Sequence, residues 1–301
     1  IFGDEFLEQT NSCNNNYNDD YDYYRGSAPS SEKEIQAISK LAISNKFLLS
    51  IAYHSSRSGC VAEKIVFPWG WKNSSNSDGQ RKLSPDYSLI KQLGDEIYQI
   101  LDFPSADGAV PQGSRTGNAH DWLYRETGCI QYLIEVGEFN YDHGIGNEPI
   151  NSYHDPADGL LIDNKYNETI EENLEAFFYL MMNAAGENVS GLDNTVNLAQ
   201  VTGIVTDEQY NLLQGVIIKV LERDGLILKP RITDEFGRYR RLLEIGSSYT
   251  MTASYPGYLS ETINIDNLTS GINTYNIKLN PQPLYELHFD IQTSDVSSAS
   301  V

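Results

Sequence analysis

Apolar and polar positions alternate along the chain in a texture that changes near Gly186. Ser31-Glu32-Lys33-Glu34 has the spacing of a capping box, and Ile35, Ile38 and Leu41 follow at helical period, which predicts a helix with one apolar face. FLLSIAY, from Phe47 to Tyr53, is too short for a helix and apolar at both parities, so it predicts a strand buried on both faces in a largely parallel sheet. Pro85 marks the start of a second helix, carried by Leu89, Ile90, Leu93, Ile97 and Leu101. CIQYLIEV, from Cys129 to Val136, reads as a second buried strand. A third helix is predicted from the capping box Thr169-Ile170-Glu171-Glu172, through Leu174, Phe177, Phe178 and Met181, to Gly186 as its stop. Helices interleaved with buried strands predict an α/β domain with a mixed or parallel sheet.

Beyond Gly186 a polar stretch leads into short β-type segments separated by turn residues: VTGIVT, GVIIKVLE, GRYRRLLE, SYTMTASY and NTYNIKL. That spacing predicts a small all-β antiparallel sandwich. The expected organisation is a first domain over 1–187, a linker over 188–199, a sandwich over 200–281 and a tail over 282–301. NSCNNNYNDDYDYYRG, from Asn11 to Gly26, has no hydrophobic period and no glycine-turned calcium loop, so it reads as a solvated loop.

Composition narrows the classes. The 301 residues suffice for one large and one small domain, and a net charge of −21 spread along the chain excludes phosphate-backbone binding and anionic membranes as partners. No apolar run approaches the roughly 20 residues of a membrane span. The chain starts at Ile1-Phe2-Gly3 without methionine or a basic-apolar leader, and so reads as a mature or truncated piece of a longer protein. Cys13, Cys60 and Cys129 are too few and too scattered for a disulfide framework or a thiolate zinc site. Four N-x-S/T sequons, at Asn73, Asn167, Asn188 and Asn267, lean the expectation toward a secreted glycoprotein.

Each buried strand carries one residue foreign to a core. His54 closes the first, and Glu135 stands between Ile134 and Val136 in the second. A carboxylate among apolar neighbours costs several kcal/mol unless it is paired or faces a cavity, and the carboxyl ends of strands line the ligand crevice of open α/β sheets. The two could therefore converge as metal ligand and general base. Residue types alone leave the plainer readings open: a hydrogen-bonded strand-end histidine, and a glutamate paired for structure.

The stretches YHSS, IVFPWGW and GNAHDWLYRETGCIQYLIEVG resemble the zinc metallocarboxypeptidases of the carboxypeptidase A/B and N/E/D type, and YRGSAPSSEKEIQAI and TIEENLEAFFYLM resemble elements of the same family. The resemblance implies that His54 is the zinc ligand ending a core strand and that Glu135, in LIEVG, activates the zinc-bound water. It also implies that Ser55, His120 and Asp121 lie at the substrate. The later pattern D-x-x-G-x-Y followed by P-G-Y resembles the transthyretin-like sandwich, also called carboxypeptidase regulatory-like, that follows N/E/D-type catalytic domains. The implied fold is thus a partial, mixed-sheet zinc-carboxypeptidase-like domain plus the small sandwich.

The departures are specific. The family draws its other two zinc ligands from H-x-x-E and binds the substrate carboxylate with N-R, and neither motif occurs here. None of His54, His120, His143, His154 and His288 has Glu three residues on. The tyrosine that closes over substrate is missing from VPQGSRTGNA, Val110 to Ala119, and Ser56 replaces an aromatic that often follows His-Ser. The expectation is therefore a zinc-dependent removal of C-terminal residues from peptides or proteins by a full-length parent, with this chain alone inactive and holding zinc weakly. The competing expectation is a secreted, non-catalytic binding or structural protein of peptidase-like fold; a third reading makes the sandwich a protein-docking module.

Overall fold

A computed structural model describes residues 26–55, 64–72, 81–103, 108–111, 118–136, 162–188, 196–225 and 227–283. The first part comprises α1 (Lys33–Asn45), β1 (Leu49–Ser55), β2 (Lys64–Phe67), the antiparallel pair β3 (Gly70–Lys72) and β4 (Arg81–Leu83), α2 (Tyr87–Ile100), β5 (Val110–Pro111), α3 (Ala119–Thr127), β6 (Ile130–Val136) and α4 (Ile162–Ala185). Its sheet has the order β1-β6-β2-β5. β1 and β6 are parallel, β2 is antiparallel to β6, and β5 is parallel to β2, so the sheet is mixed.

Helical spacing in α2 puts Leu89, Leu93 and Ile97 on one face, and these pack with Ile65, Phe67, Tyr132 and Ile134 of the sheet and with Tyr179, Leu180 and Met182 of α4. β6 is the better-buried strand; β1 is an outer strand of the described sheet and is only half-buried, with Tyr53 exposed. The expected burial of β1 on both faces is corrected accordingly.

Two helices differ from their sequence patterns. Glu32, not Ser31, occupies the N-cap of α1, and Ser31 Oγ donates to Glu32 Oε1 instead of capping. The buried face of α1 is Ser39 and Ala42, with Ala42 against Leu123 and Cys129, while Ile38 and Leu41 are exposed at 52% and 55%. Short side chains permit the close approach to α3, which turns the bulkier residues outward. α4 begins at Ile162, so the Thr169 capping box lies inside it; no glycine or proline between Ile162 and Thr169 interrupts the helix. Its core face is Ala176, Tyr179, Leu180 and Met182, and Leu174, Phe177, Phe178 and Met181 are exposed. Gly186 stops it as expected, with φ +74° and the N–H groups of Gly186 and Glu187 both donating to the Met182 carbonyl.

The second part comprises β7 (Ala199–Thr206), β8 (Ile217–Val220), β9 (Arg231–Ile232), β10 (Arg238–Leu243), β11 (Tyr249–Ser254), β12 (Glu261–Ile265), β13 (Gly271–Thr274) and β14 (Ile277–Lys278). They form one sheet of order β10-β7-β13, with β14 also on β7, and another of order β12-β11-β8-β9. Period-two alternation buries Tyr249, Met251 and Ala253 of β11 in a core shared with Val201 and Val205 of β7. The pairing is not wholly antiparallel: β13 and β14 run parallel to β7, because the chain crosses from β12 in one sheet to β13 in the other without a hairpin.

The two parts share both core and charge. Val196, Leu198, Leu228 and Leu242 belong to the same apolar cluster as α2 and α4. Asp86 stands at the N-cap of α2 but does not cap it with its carboxylate. That carboxylate accepts from the Tyr124 hydroxyl at 2.7 Å and pairs with Arg223 at 3.1 Å and Arg241 at 3.4 Å, and Arg241 also pairs with Asp224. Lys229 pairs with Glu126, and Lys46 Nζ donates to the Ile232 carbonyl at 2.6 Å. Cys129 is free and buried, and burial pushes its thiol up to about 11; Cys13 and Cys60 lie outside the described residues. Among the described residues no helix is long and apolar enough to cross a membrane.

Gly128 closes α3 at φ +76°, and a Cβ there would overlap the Arg231 guanidinium. Gly128→Ala combines left-handed backbone strain with displacement of Arg231, and we expect it to cost about 2–3 kcal/mol. Urea unfolding of the two forms measures this.

Candidate active site at the ends of β1 and β6

The parallel register of β1 and β6 sets His54 opposite Glu135, with Ser55 opposite Val136 one residue further on. Residues paired in register share a face of the sheet, and the two side chains meet: His54 Nδ1 lies 3.0 Å from Glu135 Oε2. Their surroundings are unequal. The imidazole is 61% exposed, whereas the carboxyl group is 10% exposed and rises from a strand whose preceding residue, Ile134, is fully buried. The pair thus offers a solvent-facing imidazole held by a nearly buried carboxylate.

Lys64 of β2 stands opposite Glu135 from the other side. No sequence signal singles it out, because its place depends on an antiparallel register formed across the sheet. Of Ser55 only the backbone is described, at the last position of β1.

His120 and Asp121 occupy the first turn of α3, and both are buried, at 4% and 6% exposure. His120 Nε2 has no hydrogen-bond partner among the described residues, and the nearest carboxylate oxygen recorded for it, Asp121 Oδ1, is 3.7 Å away. Burial holds the imidazole neutral, lowering its pKa to about 4. An acidic residue in a helix's first turn is favourable to the helix dipole, which gives Asp121 a structural use as well. These two residues are presented to the protein interior, while His54 faces solvent. A cleft of about 710 Å³ lies elsewhere, between Lys46 of the α1 end, Glu126 of α3 and the β9–β10 region, and includes neither His54 nor Glu135.

A catalytic zinc takes about three protein donors and keeps one position open. The pair supplies one imidazole and one carboxylate, and the described residues hold no group of three or more His, Cys, Asp or Glu that could bind a metal. The described donors therefore do not by themselves complete a zinc centre. His143, His154 and His288 lie outside the described residues.

His120 yields a pH dependence. Its folded pKa, about 4, lies below the ordinary histidine value of 6.5, so the unfolded chain takes up the proton first. Its contribution is present in full above pH 6.5 and is lost as pH falls toward 4, by about 3 kcal/mol. Urea titrations across that window should show this loss, and His120→Leu should flatten the profile.

A family model described as zinc carboxypeptidase matches residues 2–175, more than half of the chain, and includes His54, Ser55, His120, Asp121 and Glu135. No curated protein matches. Among solved structures, catechol 1,2-dioxygenase from Acinetobacter radioresistens is 15% identical over 32% of this chain and 57% of its own, with a TM-score of 0.24. A streptococcal ancillary pilin is 15% identical over 30% of this chain and 34% of its own, with a TM-score of 0.26. The dioxygenase domain of a carbohydrate-binding fusion protein from Streptomyces sp. SirexAA-E is 13% identical over 31% of this chain and 86% of its own, with a TM-score of 0.24. Similarities of that size carry no argument about this chain. The match over residues 2–175, on a mixed sheet whose adjacent strands carry His54 and Glu135 one residue before their ends, shows that the chain belongs to the zinc carboxypeptidase family.

Proposed function

We propose that this chain carries the His54–Glu135 portion of a centre that removes C-terminal residues from peptides or proteins. The observation that carries the reading is the in-register meeting of His54 Nδ1 and Glu135 Oε2, at 3.0 Å, at the carboxyl ends of parallel strands inside the family match. In this reading His54 is one zinc ligand, and zinc, when bound, supplies the Lewis acidity for attack on the scissile carbonyl. Glu135 takes the proton of the attacking water and returns it to the leaving amine, a task that requires hydrogen-bond reach of both.

The remaining donors belong, in this reading, to an H-x-x-E segment that these 301 residues do not contain. The exposed apolar row of α4 (Leu174, Phe177, Met181) beside the outer strand β1, with Tyr53 also exposed, supports further chain packing along that edge. Residues 200–281 are read as the transthyretin-like domain of the N/E/D-type enzymes. Exposed sequon residues Asn188 and Asn267 support a secreted glycoprotein. A second reading, a non-catalytic protein of the same fold, is favoured by the direct contact of His54 with Glu135, which engages both groups with each other.

Calorimetric titration of the 301-residue chain with zinc should show no tight stoichiometric site; tight one-to-one binding contradicts the incomplete donor set. In a form of the protein extended to include an H-x-x-E segment, Glu135→Gln should lower release of C-terminal residues from peptides by about 10²–10⁴-fold. Unchanged turnover in that variant removes Glu135 from the reaction.

A further inference from the structure

Three titratable side chains stand in one row across three adjacent strands: His54 on β1, Glu135 on β6 and Lys64 on β2. We propose that Lys64 determines substrate specificity here: its ammonium receives the acidic side chain of the residue at the peptide's C-terminus, so that peptides ending in glutamate are preferred. This rests on the carboxypeptidase reading of His54 and Glu135 and adds the substrate class to it.

Register fixes the row. His54 lies opposite Glu135 in the parallel pair, and Lys64 lies opposite Glu135 in the antiparallel pair. Directly opposed residues project to the same face of a sheet, with Cβ atoms about 5 Å apart. Lys64 therefore projects to the face that holds the pair, on the side of Glu135 away from His54. The next register step, Ile65 with Ile134, faces the other way and is fully buried in the core with α2.

The ammonium has no counter-charge in place. Lys64 is partly buried, and it makes no ion pair or hydrogen bond among the described residues. Its cross-strand neighbour Glu135 is engaged with His54 Nδ1 at 3.0 Å instead. Other lysines do find carboxylates, Lys91 at Asp95 and Lys229 at Glu126, in a chain with 42 acidic and 21 basic residues. A partly desolvated cation gains more from an incoming anion than a solvated one does.

Position along the sheet selects which anion. Two strand spacings, about 10 Å, separate the Cα atoms of His54 and Lys64. The α-carboxylate of the departing residue stays within one residue's length of the scissile carbonyl, about 3.8 Å. A group at Lys64 therefore belongs to the side chain, which extends further. Beside the polar row runs an apolar one on the same face, Ala52, Leu133 and Val66, in the same register. The methylenes of a glutamate side chain match that row, and its carboxylate matches Lys64.

The test begins with the 301-residue chain, titrated with N-acetyl-Gly-Glu and N-acetyl-Gly-Gln, alike in size and different in charge, while the amide signals of β2 and β6 are followed by NMR. The Glu peptide should bind about tenfold more tightly; Lys64→Met should bring the Glu-to-Gln ratio to about one, and Lys64→Arg should retain it. Equal or absent binding in the unaltered chain overturns the proposal and needs no variant that folds. A ratio that survives in Lys64→Met also overturns it, because a lysine that only supports Glu135 affects both peptides alike. Turnover of longer peptides with the same two ends, by the form that includes an H-x-x-E segment, tests the underlying reading separately. A kcat/KM ratio that follows the binding ratio supports both. Release of neither residue removes the carboxypeptidase reading, and this inference with it, whatever the binding ratio.

Discussion

Everything at the candidate site depends on the parallel, in-register pairing of β1 with β6. Seven successive residue pairs, from Leu49 with Ile130 to Ser55 with Val136, leave no freedom in which residue faces Glu135. A slip of one position would turn His54 to the opposite face of the sheet and separate the pair. The register is held by burial on the β6 side, where Ile130, Tyr132 and Ile134 are locked among α2, α4 and β2. β1 inherits its position from β6. The exposed imidazole is therefore aimed by a core in which its own strand is only half involved.

A second constraint acts at the far end of α2 and α3. The apolar cluster around α2 runs on into Leu228 and Leu242, so the two sheets of the second part are packed against the first and not merely tethered to it. Within that contact the buried charges must be matched one by one. Asp86 gives up its usual use as a helix cap to receive Tyr124, Arg223 and Arg241. Buried ion networks of this kind contribute little net stability compared with apolar packing, but breaking one partner is costly. They act chiefly against misplacement: an arginine in the wrong position is left uncompensated. The same sheets place Arg231 over Gly128, at the terminus of the helix that leads into β6.

The helix faces show where sequence patterns mislead. In α1 and α4 the most apolar rows, Ile38 and Leu41 in one and Leu174, Phe177 and Met181 in the other, are exposed, and narrower rows face the core. Period alone says that a face exists, not what it packs on. α2 shows no such conflict: the apolar residues at its helical period are the ones buried, against the sheet and α4. Gly186 was readable as a stop because left-handed backbone is intrinsically cheap for glycine. The capping box at Thr169 was not a start, since a short polar signature yields to the helical residues ahead of it.

By itself the sequence determined the alternation of helices and buried strands, the change to short β segments after Gly186, and the two residues, His54 and Glu135, that do not belong in their strands. Those features are local: they follow from side-chain size, polarity and spacing along a few consecutive residues. Only the tertiary structure decided that the two meet at 3.0 Å, that Lys64 flanks one of them, that His120 and Asp121 are buried, and that Asp86 gathers arginines from more than a hundred residues away. Each of these rests on strand register or on packing between distant segments. Such contacts are set by the joint burial of the whole chain, and no local window of sequence contains that information.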